Sequence, residues 1–206
     1  MLTVSAQAMQ GVRSGELDSA ALQQIVTEAE GSILESQANL LAYEAAADRG
    51  DLVEATTYLN QALHTLHRSP TVATRAFVLM AAAEYEVLYA KDPQCAREWL
   101  ALCQIDDTSP LAYELYQHYL LVKAAILLAE EQWSEARMVA LECQVMLQKS
   151  FDLGNLPSMQ EKLAIILSET AKMLAIRPKA VSQLATYAKF ERPFQPKAKI
   201  VGNLYQ

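Results

Sequence analysis

Residues that break regular structure are scarce in this 206-residue chain, which has only 6 glycines and 7 prolines. That scarcity excludes long disordered linkers, and 52% hydrophobic against 20% charged residues supplies ample material for a core. Cysteine is equally sparse. Cys95, Cys103 and Cys143 form an odd set with no Cys-x-x-Cys pair, which excludes a disulfide framework and points to reduced thiols in a cytosolic setting. No apolar run approaches the roughly 18 residues needed to cross a bilayer. The longest, residues 120–129, is interrupted by Lys123, so no membrane insertion is expected. Residues 1–13 lack a basic residue ahead of a hydrophobic stretch, so they do not read as a secretory signal, and a cytoplasmic location is expected. Catalytic signatures are missing too: there is no His-Glu-x-x-His, no glycine-rich phosphate loop, no nucleophile elbow and no Cys–His nucleophile pattern. No enzyme and no cofactor is expected. The three histidines are His64, His67 and His118, and only His64 and His67 stand close enough on a helix to share an ion. They read as surface histidines, with a cryptic metal site as the rival.

The net charge is −7, unevenly distributed. Residues 1–60 carry nine acidic and two basic side chains, whereas residues 172–206 carry seven basic ones against Glu191 alone. An acidic chain with a sparse basic segment is repelled by a phosphate backbone, so nucleic-acid binding is not favoured. The gradient reads as a solvated surface; a head-to-tail contact giving a homo-oligomer is the sharper alternative.

Apolar residues recur at helical spacing, and strand-like alternation is absent, which makes the chain all-α. Four times a helix ends, turns and restarts with alanine: Gly15 to Ala20, Gly50 to Ala55, Lys91 to Ala96 and Glu131 to Ala136. These alanines are 35, 41 and 40 residues apart, the length of a helical hairpin with its connections. Helices are predicted over 19–30, 32–48, 52–67, 71–90, 93–104, 111–130, 133–149, 158–176 and 178–190. Asp18 is placed as an N-cap, Gly50 as a left-handed C-cap, and Asp92-Pro93 as a cap followed by proline at the first helical position. Small residues at the hairpin contacts let backbones approach, which accounts for Ala55, Ala96 and Ala136, and for Cys103 and Cys143 as small apolar side chains rather than reactive thiols. The expected architecture is a right-handed superhelix of four to five antiparallel helical hairpins over residues 1–190. A basic tail over 191–206 is expected to be extended or partly disordered.

Gly50-Asp-Leu-Val-Glu-Ala55-Thr-Thr-Tyr-Leu59-Asn-Gln-Ala62-Leu, closed by Pro70, resembles the second half of a tetratricopeptide repeat, and Glu131-Gln-Trp133-Ser-Glu-Ala136 resembles its turn. The repeats are degenerate: the first helices lack the Trp-x-x-Leu-Gly start, and Lys91 and Glu131 replace the turn glycine. A narrower resemblance rests on Gly11-Val-Arg13, residues 41–51, Ala96-Arg-Glu-Trp-Leu100 and the turn at 131–137. Together these are similar to the soluble helical region that follows the membrane domain in some bacterial site-2-protease-like zinc metallopeptidases. That resemblance implies a cytoplasmic regulatory or protein-binding module. It carries no protease activity, because the protease motif is absent.

Stacked hairpins expose a concave surface lined by the first helix of each pair. Those helices carry Tyr43, then Tyr85 and Tyr89, then Tyr116, with Lys123 two turns on. Such rings with an ammonium suit a peptide groove, although an aromatic stripe at helical spacing also describes a core. The function expected is a non-catalytic protein-interaction or regulatory scaffold with a protein or peptide partner. A self-associating structural module and a regulatory domain of a site-2-protease-like peptidase are the alternatives.

Overall fold

The computed structural model describes residues 19–69, 71–106, 108–109, 111–149 and 157–176. Eight α-helices are present among them: α1 Ser19–Ala29, α2 Glu35–Asp48, α3 Leu52–His64, α4 Val72–Tyr85, α5 Pro93–Ala101, α6 Ala112–Ala129, α7 Trp133–Lys149 and α8 Pro157–Ile176. No strand occurs among the described residues. The all-α expectation holds. None of these helices is long and apolar enough to cross a membrane. The Gly15 turn with Asp18, the residues at 152–156, the helix expected at 178–190 and the tail at 191–206 lie outside the described residues.

Local chemistry explains the starts and stops. Asp51 Oδ1 accepts the backbone N–H of Glu54 at 3.0 Å and Asp92 Oδ1 that of Cys95 at 3.0 Å, each satisfying an orphan donor of a first turn. Pro93 follows Asp92 at the first helical position, where a missing N–H is harmless. Thr71 Oγ1 caps α4 by accepting from Thr74 N at 3.1 Å.

The hairpin turns share one backbone. After α2, Gly50 has φ +76°, Gly50 N–H donates to Ala47 O at 2.9 Å and Asp51 N–H to Ala46 O at 3.0 Å. After α6, Glu131 has φ +61°, Glu131 N–H donates to Leu128 O at 3.1 Å and Gln132 N–H to Leu127 O at 2.9 Å. Both are left-handed stops that satisfy the last carbonyls of the helix. Lys91, with φ +60°, occupies the same place between α4 and α5. Here the predicted single helix over 71–90 differs: α4 ends at Tyr85 and the chain continues as a π turn, Glu86–Ala90. Asp92 N–H reaches back to Glu86 O at 3.0 Å, one residue farther than in the other two turns. Three further boundaries shift, the first being α5, which stops at Ala101 rather than 104. The helix expected from 32 begins at Glu35 because Gly31, at φ +73°, turns the chain, and α3 closes in a 3₁₀ turn over Leu66–Arg68.

Ala20, the first of the four alanines expected to restart a hairpin, is exposed, whereas the other three, Ala55, Ala96 and Ala136, are all 0% exposed. Ala62, Ala140 and Cys143 are equally buried, so the second helices meet their partners through small side chains. One part of the core gathers Leu40, Tyr43, Leu59 and Val78; a larger part gathers Met80, Leu115, Val122, Cys143 and Ile166. Phe77 and Trp99 pack against both and make the core continuous. Each fully buried Leu or Met contributes about 1.5–3 kcal/mol.

Each helix packs on the next in sequence, and α2 also packs on α4, α4 on α6, and α6 on α8. Among the described residues the odd-numbered helices α3, α5 and α7 make no comparable contact with one another. The even-numbered helices therefore form one continuous row, with the odd-numbered ones set against it.

Candidate functional site

The even-numbered row brings together titratable side chains from separate hairpins. Glu84, near the end of α4, is only 7% exposed. Lys162 of α8 donates its Nζ–H to Glu84 Oε1, and His118 Nε2 of α6 lies 3.3 Å from Glu84 Oε2. Phe77, two turns before Glu84 on α4, sets its ring 6.1 Å from the His118 ring. One carboxylate thus ties three consecutive helices of the even-numbered row. Burial opposes its ionisation, but the hydrogen bond from His118, the Lys162 charge and the second hydrogen bond outweigh that cost and hold the carboxyl down at about 2. Burial likewise disfavours the Lys162 ammonium, yet Glu84 overcomes it and the lysine is shifted up.

Glu44 of α2 stands six residues before Gly50, and Glu84 seven before Lys91, the π turn adding one. These are corresponding positions in successive hairpins, with opposite electrostatics. The half-buried Glu44 carboxyl is pushed up by burial; His118 and Lys162 pull it down, while Glu84 and Asp48 add to the upward shift. Tyr43 beside it is 4% exposed, its hydroxyl 3.5 Å from Ala81 O, and burial with the nearby Glu84 raises its phenol strongly. Tyr85 accepts a hydrogen bond from Thr56 Oγ1 of α3 at 2.9 Å, and its ring meets the Tyr89 ring at 5.6 Å with a 44° tilt. Tyr89 lies in the π turn and is close enough to Tyr43 and Lys162 to influence both electrostatically.

The five residues singled out for a groove are thus divided. Tyr85 and Tyr89 form a half-buried pair beside Glu84, whereas Tyr43 is part of the core. Tyr116 packs half-buried against the larger part of the core, and Lys123, two turns later on the same flank of α6, is exposed. Lys123 borders a shallow depression of about 140 Å³ with Tyr119, Ile126 and Leu127 of α6 and Arg97 and Leu100 of α5. That depression is on another flank of α6 from His118, so Tyr116 and Lys123 do not join the Glu84 cluster.

Glu44, Glu84, His118 and Lys162 were missed as site residues by sequence reasoning. The two glutamates stand six and seven residues before their turns, a correspondence that the π turn conceals in the sequence; the histidine and lysine offer no local signal, lying 34 and 78 residues from Glu84.

The remaining candidates have local explanations. His64 and His67 are both exposed, with His67 Nδ1 3.1 Å from His64 O. No group of three or more His, Cys, Asp or Glu side chains that could hold a metal converges among the described residues. Burial raises the Cys103 thiol to about 11 and the Cys143 thiol to about 12, which suits packing rather than nucleophilic chemistry. Asp106 accepts from Thr108 N and Oγ1 at 2.9 and 2.6 Å, a turn-stabilising arrangement.

Comparison with known proteins finds no matching family model, no matching curated protein and no matching solved structure.

Proposed function

We propose that the chain is a non-catalytic protein-interaction or regulatory scaffold, a tetratricopeptide-like stack of helical hairpins whose working surface is the face of the even-numbered helices carrying Glu44, Glu84 and Tyr89. The observation that carries this reading is the continuous row α2–α4–α6–α8 with charged and aromatic side chains from successive hairpins gathered on it. In a right-handed superhelix such a row is the inner, concave layer, where a partner segment touches several repeats at once. Tyrosine suits the role, adding apolar area and a polar tip at little entropic cost. The three left-handed turns at Gly50, Lys91 and Glu131 support the repeat reading, because each starts the next helix from a residue of positive φ, with the same hydrogen bonds at Gly50 and Glu131.

A photo-crosslinking amino acid placed at Tyr89 tests this, with the same group at Val145, exposed on α7, as the reference. Adducts with a cellular protein at Tyr89 and none at Val145 are expected; adducts at Val145 alone place the working surface elsewhere. Self-association is the second reading, favoured by Leu141 and Val145, which are 41% and 49% exposed one turn apart on α7. Sedimentation across protein and salt concentration separates the two. A regulatory module acting beside a site-2-protease-like peptidase is a special case of the first reading.

A further inference from the structure

Helices α1, α2 and α3 surround an open cavity of about 530 Å³, within the range of about 300–1,000 Å³ that small-molecule sites occupy. Val26 and Thr27 of α1, Asn39 of α2 and Thr65 after α3 line it, with Glu30 just beyond α1. Asn39 is 2% exposed, and its Oδ1 has no hydrogen-bond partner among the described residues. Its Nδ2–H donates to Glu35 O at 2.9 Å, one turn back on the same helix. That bond fixes the amide's orientation, because exchanging the two atoms would set oxygen against oxygen. The orphan is therefore an acceptor, and a donor supplied by a ligand recovers the cost of burying it unpaired.

Much of the remaining wall has spent its protons. Thr27 Oγ1–H donates to Gln23 O at 2.8 Å and Thr65 Oγ1–H to Gln61 O at 2.9 Å, so both oxygens keep only accepting capacity. Glu35 is already satisfied: its Oε2 accepts from Gly31 N–H and from Arg68 Nη1–H, both at 2.8 Å. Glu30 is exposed, and no hydrogen bond or ion pair reaches its carboxylate among the described residues. On the α3 side the exposed Asn60 and Gln61 amides can donate, and the exposed His64 is the one lining side chain able to carry positive charge. The α1 and α2 sides thus present mainly acceptors, one of them a carboxylate without a counter-ion.

We infer that this cavity takes a small aliphatic diamine, one ammonium giving its N–H to Asn39 Oδ1, the other paired with Glu30, and the methylene chain lying against Val26. An anion or a neutral molecule suits it less, because neither supplies a counter-ion to Glu30. The site is separate from the Glu84 cluster and does not depend on the proposed interaction surface.

The test is isothermal titration calorimetry of the full chain with cadaverine, a linear diamine, and saturable one-to-one binding is expected. Pentamethonium has the same length and charge but no N–H, so it should bind at least about tenfold more weakly. Glutarate should not bind. Nα-acetyl-lysine methylamide stands for a lysine of a partner protein; with one ammonium instead of two, it should also bind about tenfold more weakly. Asn39→Leu keeps the size and removes the acceptor, and should weaken cadaverine about tenfold. Glu30→Gln should do so by a smaller factor, because Glu30 is exposed. Tyr89→Leu should leave cadaverine binding unchanged, which separates this site from the interaction surface. Retained helical circular dichroism shows that each variant folds, and the comparison of cadaverine with pentamethonium needs no variant. Equal binding of those two amines, equal or tighter binding of the lysine amide, or unchanged affinity in a folded Asn39→Leu overturns the inference. So does the absence of saturable cadaverine binding, which leaves Asn39 Oδ1 to water.

Discussion

Glu44 and Glu84 occupy corresponding places in neighbouring hairpins, yet one is held ionised far below the ordinary carboxylate range and the other is pushed above it. Glu44 stands six residues before its turn and Glu84 seven, the π turn supplying the extra one; what differs electrostatically is which helices lie alongside. Glu84 meets His118 from α6 and Lys162 from α8 and becomes a tie between hairpins. Glu44 sits at the α2 end of the row, where His118 and Lys162 act on it only at longer range. One position thus serves two environments: in the interior the carboxylate ties helices together, and at the α2 end no hydrogen bond or ion pair reaches it among the described residues.

The largest effect should come from breaking the tie. Glu84→Gln leaves Lys162 and His118 facing a neutral amide. A fully buried pair loses about 3–5 kcal/mol when one partner is removed. Lys162 is 37% exposed and water repays part of that, so about 2 kcal/mol is expected in the urea midpoint of unfolding.

A smaller change of opposite sign is expected for Glu44→Gln at neutral pH, because it removes a carboxylate that burial resists ionising. The two variants also separate by pH. Glu84 has a lowered folded-state value, so its contribution is present above the ordinary carboxylate range and is lost as pH falls toward about 2. Glu44 has a raised value, so its contribution is present below the ordinary range and is lost as pH rises through the raised value. Stability measured from pH 2 to 8 should therefore lose its acid-side slope in Glu84→Gln and, in Glu44→Gln, the decline that sets in as pH rises above the ordinary carboxylate range.

The smallest effects sharpen the comparison at the turns. Lys91 and Glu131 hold left-handed backbone that costs a non-glycine residue about 1–2 kcal/mol, whereas Gly50 holds it freely. Glu131→Gly should stabilise by up to about 1 kcal/mol in thermal unfolding, and Lys91→Gly by less, since Lys91 Nζ donates to Leu88 O and glycine forfeits that bond. Destabilisation by Glu131→Gly would show that its side chain makes an essential contact.

Much of the scaffold was legible because its determinants are local. Gly50, Pro93 and three of the four restarting alanines, Ala55, Ala96 and Ala136, act within a few residues of themselves and stand where the pattern placed them, whereas Ala20 is exposed. The π turn was not legible, since it depends on Asp92 N–H reaching past the usual carbonyl to Glu86 O. The site was legible only in its local part. Tyr85 and Tyr89, four apart on one helix face, do meet. Tyr43 has the same residue type and the same candidate role but points into the core, a distinction set by α4 packing across it. The bases that govern Glu84 come from hairpins 34 and 78 residues away, beyond the reach of any periodicity.

The most direct measurement is the titration of both side-chain carboxyls by ¹³C NMR in the full chain, with Glu44→Gln and Glu84→Gln supplying the assignments. The account predicts that Glu84 titrates near 2 and Glu44 above the ordinary glutamate value. Two carboxyls titrating together near the ordinary value of about 4.3 contradict it.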